Sequence, residues 1–229
     1  MLWELATQAG RAGFPLSVHA IGDLAVRQVL DVLSESPVSE QGRTITSAPP
    51  LPHSPAALPH RIEHVQLIHP NDLPRLGQYG IVASVQPVHL MTDWPTADKV
   101  WGQRARYAYA FRSLLEQGAV LVLGSDAPVA PLNPLLGIHA AVTRQDERGQ
   151  PAGGWYPEEK LTIAEAIQGY TLAPAYLAGK QAVQGSITPG KWADLVVLSR
   201  NLFEIPAGEI AETQVDLTIF DGRVVYQVQ

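Results

Sequence analysis

Three side chains in this sequence have the types and the setting that metal-assisted hydrolysis requires: His19, His64 and Asp126. Each closes or follows a short run that reads as β-strand. The runs are Phe14 to His19, Arg61 to Gln66, and Val120 to Leu123 followed by Gly124-Ser125-Asp126. In parallel α/β sheets, side chains at the C-terminal ends of strands converge on the ligand site. Two imidazoles and a carboxylate there form a set of the catalytic zinc type, with coordination positions left open for water. A cation so held lowers the pKa of that water, and Asp126 would accept its proton. The plain alternatives are that each histidine is a satisfied polar residue at a strand end and that Asp126 serves a turn or a helix cap.

A second pattern competes for the same residues. His60-Arg61-Ile62-Glu63-His64 fits H-x-x-E-H, an inverted zinc-protease signature that needs a helix so that both histidines share a face. Pro59 and Pro70 flank the segment and Val65-Gln66-Leu67-Ile68 favours strand, so the helical reading is the weaker one. His53 and His60 sit in or beside a proline-rich stretch, and His69 precedes Pro70 with at most a supporting place near the site. His89 lies with Met91, Asp93, Trp94 and Trp101 in what reads as a long loop from Gln86 to Trp101. Such a loop would roof a strand-end site, which makes His89, Trp94 and Trp101 the candidates for substrate contact. A surface loop anchored by its tryptophans is the other reading.

The elements that must position these residues alternate. Helical patterns cover Leu2 to Ala12, the stretch after Asp23, Pro70 to Gly77 or Gly80, Arg104 to Gln117, Pro134 to Thr143 and Thr162 to Tyr170. Strands fall between the first of these, with Ile81 to Val85 as a further one, and they are near-continuous apolar runs of the kind buried on both faces of a parallel sheet. Four such β/α units fit, half of what a closed eight-stranded barrel needs, so the chain holds a small open α/β sheet or half a barrel. The tail differs: Leu195 to Leu198, Val215 to Phe220 and Arg223 to Tyr226 read as short strands, with a hairpin turn at Asp221-Gly222. Residues 37–59 form a proline-rich segment that reads as a long surface loop.

Composition removes several function classes. The 229 residues include no cysteine, which excludes disulfide scaffolds, thiolate metal sites and cysteine nucleophiles. The net charge of −6 argues against nucleic acid or an anionic membrane as partner. No apolar run is long enough to span a bilayer, and MLWELATQAGRAG lacks a basic region ahead of an apolar stretch. Together these lead us to expect a cytoplasmic protein.

Taken in order, His19-Ala20-Ile21-Gly22-Asp23, Arg61-Ile62-Glu63-His64, Ser84-Val85-Gln86-Pro87 and Gly124-Ser125-Asp126-Ala127-Pro128-Val129 resemble family 3 of the amidohydrolase superfamily, which includes N-substituted formamide deformylases and YtcJ-like proteins. Leu161-Thr162-Ile163-Ala164-Glu165-Ala166 and the run from Gly185 to Val197 extend the likeness over nearly the whole chain outside the proline-rich insert. The resemblance implies the C-terminal half of a (β/α)8 TIM barrel, strands 5 to 8, over residues 1–180, and short strands of a small β-sandwich over 181–229. It places His19 on barrel strand 5, His64 on strand 6 and Asp126 on strand 8, binding one or two divalent metals, with Asp126 also the general base. Zinc is the expected metal, with iron or manganese as alternatives. The implied activity is hydrolysis of a non-peptide C–N bond of amide type by metal-activated water.

The departure from the family concerns its H-x-H pair and its bridging lysine or acid, which belong to the first four strands. No H-x-H occurs in this sequence. The expectation is therefore a fragment with a partial metal site and little activity alone. It would need a second copy, or a separate N-terminal half, to cover its sheet edges. The opposing expectation is a catalytically inactive fragment that only binds such a partner.

Overall fold

The computed structural model describes residues 2–35 and 58–229. Most of the proline-rich segment 37–59, with His53, lies outside the described residues. The chain divides into two compact units, Met1–Gln86 with Asp93–Leu123, and Pro87–Thr92 with Gly124–Gln229.

In chain order the first elements are α1 (Leu2–Arg11), β1 (Ser17–Ala20), α2 (Asp23–Glu35), β2 (Arg61–His64), α3 (Leu73–Tyr79), β3 (Val82–Val85), α4 (Pro87–Trp101), α5 (Phe111–Glu116) and β4 (Leu121–Leu123). The strands form one parallel sheet in the order β1-β2-β3-β4. The alternation of strand and helix read from sequence is therefore present, and the fold is α/β with a parallel sheet. Among the described residues no strand pairs with the far side of β1 or of β4.

Register sorts the side chains. Ser17 lies beside Arg61, His19 beside Glu63, and Glu63 beside Ser84, so these polar residues share one face. Ile62 pairs with Val18 and Ala83 on the opposite face, where Ile62 and Ala83 are fully buried. Helix α2 adds Val26, Val29, Leu30, Val32 and Leu33 to the core, and α5 adds Phe111 and Leu114. The expectation of strands buried on both faces holds for β4, whose three residues are all buried, and needs correcting for β1. Ser17 and His19 are exposed, because the second face of β1 and β2 is built of hydroxyls and charges, whereas β3 and β4 continue it with the buried Val82 and Val122.

On that polar face, the Ser17 hydroxyl donates to Glu63 Oε1 at 2.7 Å, and Arg61 Nε donates to the same oxygen. Burial alone would raise the Glu63 pKa. Hydrogen bonds from Ser84, Ser17 and Arg61 outweigh it and hold the carboxyl below its ordinary value.

Two readings of the segment after β3 change. The expected loop from Gln86 to Trp101 is helix α4, carrying Pro87 at its first turn, where a missing N–H costs nothing, and Pro95 inside. The helix expected over Arg104 to Gln117 is broken into a 3-10 stretch, Gly102–Tyr107, and α5. The break falls at Tyr109, whose φ of 52° no α-helix accepts. Tyr109 instead lends its backbone N–H to the Gln66 carbonyl.

The H-x-x-E-H pattern lies on strand β2, so its two histidines cannot share a helical face. His60 has a structural duty: its Nδ1 accepts the Leu16 N–H at 2.9 Å, tying the residue before β2 to the approach of β1.

The later elements are α6 (Pro134–Thr143), α7 (Ile163–Tyr170), α8 (Leu172–Leu177), β5 (Leu195–Leu198), β6 (Val215–Phe220) and β7 (Arg223–Gln227). Asn133 caps α6 through the Leu135 N–H, and Thr162 with Glu165 forms a reciprocal capping box on α7. Strands β5, β6 and β7 form an antiparallel sheet in that order. The β6–β7 turn at Asp221-Gly222 has φ of 50° and 73°, the two positive values a type I′ hairpin requires, and the Asp194 carboxylate accepts the Asp221 N–H. Among the described residues no helix is long and apolar enough to cross a membrane.

Thr162→Ala should cost about 1 kcal/mol in urea unfolding, the usual worth of an N-cap. His60 gives a pH-dependent outcome, because burial lowers its pKa from the ordinary 6.5. The unfolded chain therefore takes up that proton first, and stability, complete above the ordinary value, declines as pH falls through it. His60→Asn keeps an acceptor for Leu16 and cannot titrate, so its stability profile from about pH 7.5 to 5 should be flatter than wild type. Parallel profiles would refute this assignment.

Candidate metal centre

The first unit brings two of the expected ligands together. The His19 and His64 rings lie with centroids 4.4 Å apart, edge to face at 72°. His19 is the third residue of β1 and His64 the last of β2, so both stand toward the C-terminal ends of neighbouring parallel strands. By strict alternation His64 would join Ile62 on the apolar face. It meets instead the ring of His19, whose neighbour in register is Glu63. The backbone accounts for the change, because His64 and Val65 have φ of 77° and 46°. Left-handed conformations cost a non-glycine residue on the order of 1–3 kcal/mol each and concentrate where a side chain must be aimed. The Val65 N–H closes this turn on the Glu63 carbonyl.

His64 is buried, and its Nδ1 lies 2.8 Å from Gln86 Oε1. The Gln86 amide nitrogen donates to the Ser84 carbonyl, which turns Oε1 toward the ring. His64 Nδ1 is therefore the protonated nitrogen, and Nε2 carries the lone pair that a metal ligand uses. Gln86 sits one residue beyond β3, buried at the N-cap of α4. Sequence reasoning did not pick it as a site residue. The signal was its position, a polar residue at a strand's C-terminal end directly before a proline.

The second unit carries Asp126 and His89. Asp126 follows β4 by three residues, has φ of 57° and is exposed, and its carbonyl accepts the Val129 N–H at 2.8 Å. A ring nitrogen of His89 and a carboxylate oxygen of Asp126 lie within 4.8 Å of each other. His89, read from sequence as a substrate contact on a loop, is a residue of α4 within metal-ligand range of Asp126. Trp94 and Trp101 are half-buried residues of the same helix, seven positions apart and so on one side of it.

Around α4, the Tyr109 hydroxyl donates to Asp93 at 2.5 Å. Arg104 donates to Asp23, the first residue of α2, at 2.7 Å. Desolvation alone would raise the Asp23 pKa, but the Arg104 hydrogen bond and charge, with the Leu24 N–H, leave it lowered. His69 accepts the Asn71 N–H and so caps the 3-10 turn before α3.

Imidazoles, that of His64 with its tautomer set by Gln86, and a carboxylate are donors that Zn, Fe or Mn accept. The residues present fit such a cation chemically.

The chain is similar to several known proteins. The chain is 36% identical over 220 residues to LONG AFTER FAR-RED 3 of Arabidopsis thaliana, covering 95% of this chain and 35% of that protein. It is 30% identical over 227 residues to the N-substituted formamide deformylase of Arthrobacter pascens, covering 98% and 39%. The chain thus spans well under half the length of these relatives. Among solved structures, an uncharacterized metal-dependent hydrolase of Pyrococcus horikoshii superposes with a TM-score of 0.70 at 28% identity, covering 90% of this chain and 38% of that one. The model of the amidohydrolase family matches residues 2–226, and the chain belongs to that family.

Proposed function

We propose that this chain supplies part of a metal-dependent hydrolase that cleaves a non-peptide C–N bond of amide type. The observation that carries the reading is the His19–His64 ring pair on adjacent parallel strands, with the His64 tautomer set by Gln86. In this reading His19 and His64 are ligands of a divalent cation, zinc first, and Asp126 is a further ligand. A cation there would polarise a substrate carbonyl and bring the pKa of its water toward neutrality. Asp126 takes the proton of the attacking water and returns it to the leaving nitrogen. Gln86 holds the His64 ring in one orientation and raises its basicity as a ligand. His89, Trp94 and Trp101 are proposed to shape the space for substrate.

The architecture proposed with it is four strands of an eight-stranded barrel over residues 1–180 and part of a β-sandwich over 181–229. The exposed Ser17 and His19 and the side of β1 that no strand among the described residues pairs with favour a partner that continues the sheet, either a second copy or a separate polypeptide bearing the other strands. The proposed substrate is a small molecule; N-formyl amines, the class named by the Arthrobacter relative, are the first to assay by amine release.

Zinc titration with a competing chelator tests the metal reading. Wild type should take up stoichiometric zinc, and His19→Ala and His64→Ala should each lose it. Equal uptake by all three proteins would end this reading. Gln86→Ala should weaken zinc binding by about 10–100-fold, whereas Gln86→Glu, which keeps an acceptor for Nδ1, should retain most of it. An unchanged affinity in Gln86→Ala would remove Gln86 from the site.

A further inference from the structure

Asp126 stands on a loop with no regular partner, in left-handed backbone three residues beyond the last hydrogen-bonded residue of β4. Something must hold that loop if its carboxylate is to be aimed. The same unit provides one fitted contact. Tyr170, the last residue of α7, directs its hydroxyl at the carbonyl of Gly124, two residues before Asp126, at 3.4 Å. Gly124 is the first residue past β4. The hydroxyl can reach it only because α6 has a glycine in the way. A Cβ on Gly137 would lie 1.8 Å from the Tyr170 oxygen and 2.9 Å from its Cζ. Gly137 is itself buried, in a helix whose neighbours Leu135, Ile138, Ala140 and Ala141 are all buried as well. Such a position ordinarily takes a side chain, and glycine costs a helix interior about 1 kcal/mol relative to alanine. The vacancy matches one atom group, the phenol of Tyr170. Burial also raises the Tyr170 pKa, so the hydroxyl stays protonated and remains a donor at any working pH.

From this we infer that Tyr170, seated through Gly137, is a positioning residue for Asp126: it pins the Gly124 carbonyl and so fixes the start of the loop that aims the carboxylate. The inference rests on the proposed metal role of Asp126 for its functional consequence, but not for its structural one. Tyr176 of α8 is the natural control, a second half-buried tyrosine whose pKa burial also raises.

Two measurements on the full chain decide it. The first is amide hydrogen exchange of the segment 124–133, in which the Val129 N–H is bonded to the Asp126 carbonyl. Tyr170→Phe and Gly137→Ala should each speed exchange there, and Tyr176→Phe should not. The second is zinc affinity in a double-mutant cycle. Tyr170→Phe should weaken zinc about tenfold, the low end for a supporting contact, and should have no further effect on an Asp126→Asn background. A residue with only a general structural role would give additive losses. Unchanged exchange in Tyr170→Phe overturns the inference whatever the metal does. Faster exchange with wild-type zinc affinity, while Asp126→Asn binds weakly, also overturns it, because the anchor then does not act through Asp126. If Asp126→Asn binds zinc as wild type does, the metal role of Asp126 falls, and the exchange data alone still decide whether Tyr170 pins the loop.

Discussion

The parallel register of β1, β2 and β3 is the constraint on which the rest depends. Hydrogen bonding pairs Ala20 with His64 and Glu63 with Ser84, so the C-terminal ends of the three strands finish level with one another. Parallel strands cannot be joined by tight turns, and their connections must cross over through helices. Those helices supply the apolar cover that leaves the other face free to be polar. Ile62, Ala83 and Val85 are buried against it, while Ser17, His19, Arg61, Glu63 and Ser84 line the opposite side. A one-residue slip of β2 would exchange these sets and bury Glu63 and Arg61 in hydrocarbon. The chemistry-bearing residues thus depend on a register that the aliphatic residues enforce.

Alternation alone does not complete the site. His64 has the wrong parity for the polar face, and two consecutive left-handed residues are needed to bring its ring to that of His19. Holding Val65 at φ of 46° is costly for a β-branched side chain. The surroundings meet that cost: Val65, Gln66, Leu67 and Ile68 are all buried, and Leu67 bridges Ala108 while the Gln66 carbonyl accepts the Tyr109 N–H. Strain at the strand end is sustained by packing in the segment just beyond it. Asp126 repeats the device after β4, with a left-handed residue directly following Gly124-Ser125.

The sequence made the periodic parts of this legible and hid the irregular ones. Strand-end residues His19, His64 and Asp126 were readable because short apolar runs announce buried strands. Pro134 to Thr143 was readable because Asn133, Pro134 and an apolar run state a helix start in full. The hairpin at Asp221-Gly222 was readable because few other pairs accept positive φ at both positions. Helix α4 was not, since Pro87 and Pro95 with two tryptophans look like loop, although Pro87 at the first turn is a favoured helix start. The break at Tyr109 was hidden for the opposite reason: Ala108-Tyr109-Ala110 has helical composition, and only the tertiary bond to Gln66 makes the turn worth its cost. Gln86 escaped notice because its role is a contact 22 positions away, and single-residue types carry no information about such pairings.

Glu63 is the acid that lies beside His19 in register, and its carboxylate is already engaged. Three donors, from Ser84, Ser17 and Arg61, saturate its carboxylate and depress its pKa. A carboxylate so satisfied gains little by accepting another proton, and its bonds fix Arg61 and Ser17 across the β1–β2 pair. Asp126 is placed differently. It is exposed and stands on a loop rather than inside a strand. The bonds of Glu63 tie the polar face of β1 and β2 together, whereas Asp126 stands exposed on the loop that follows β4.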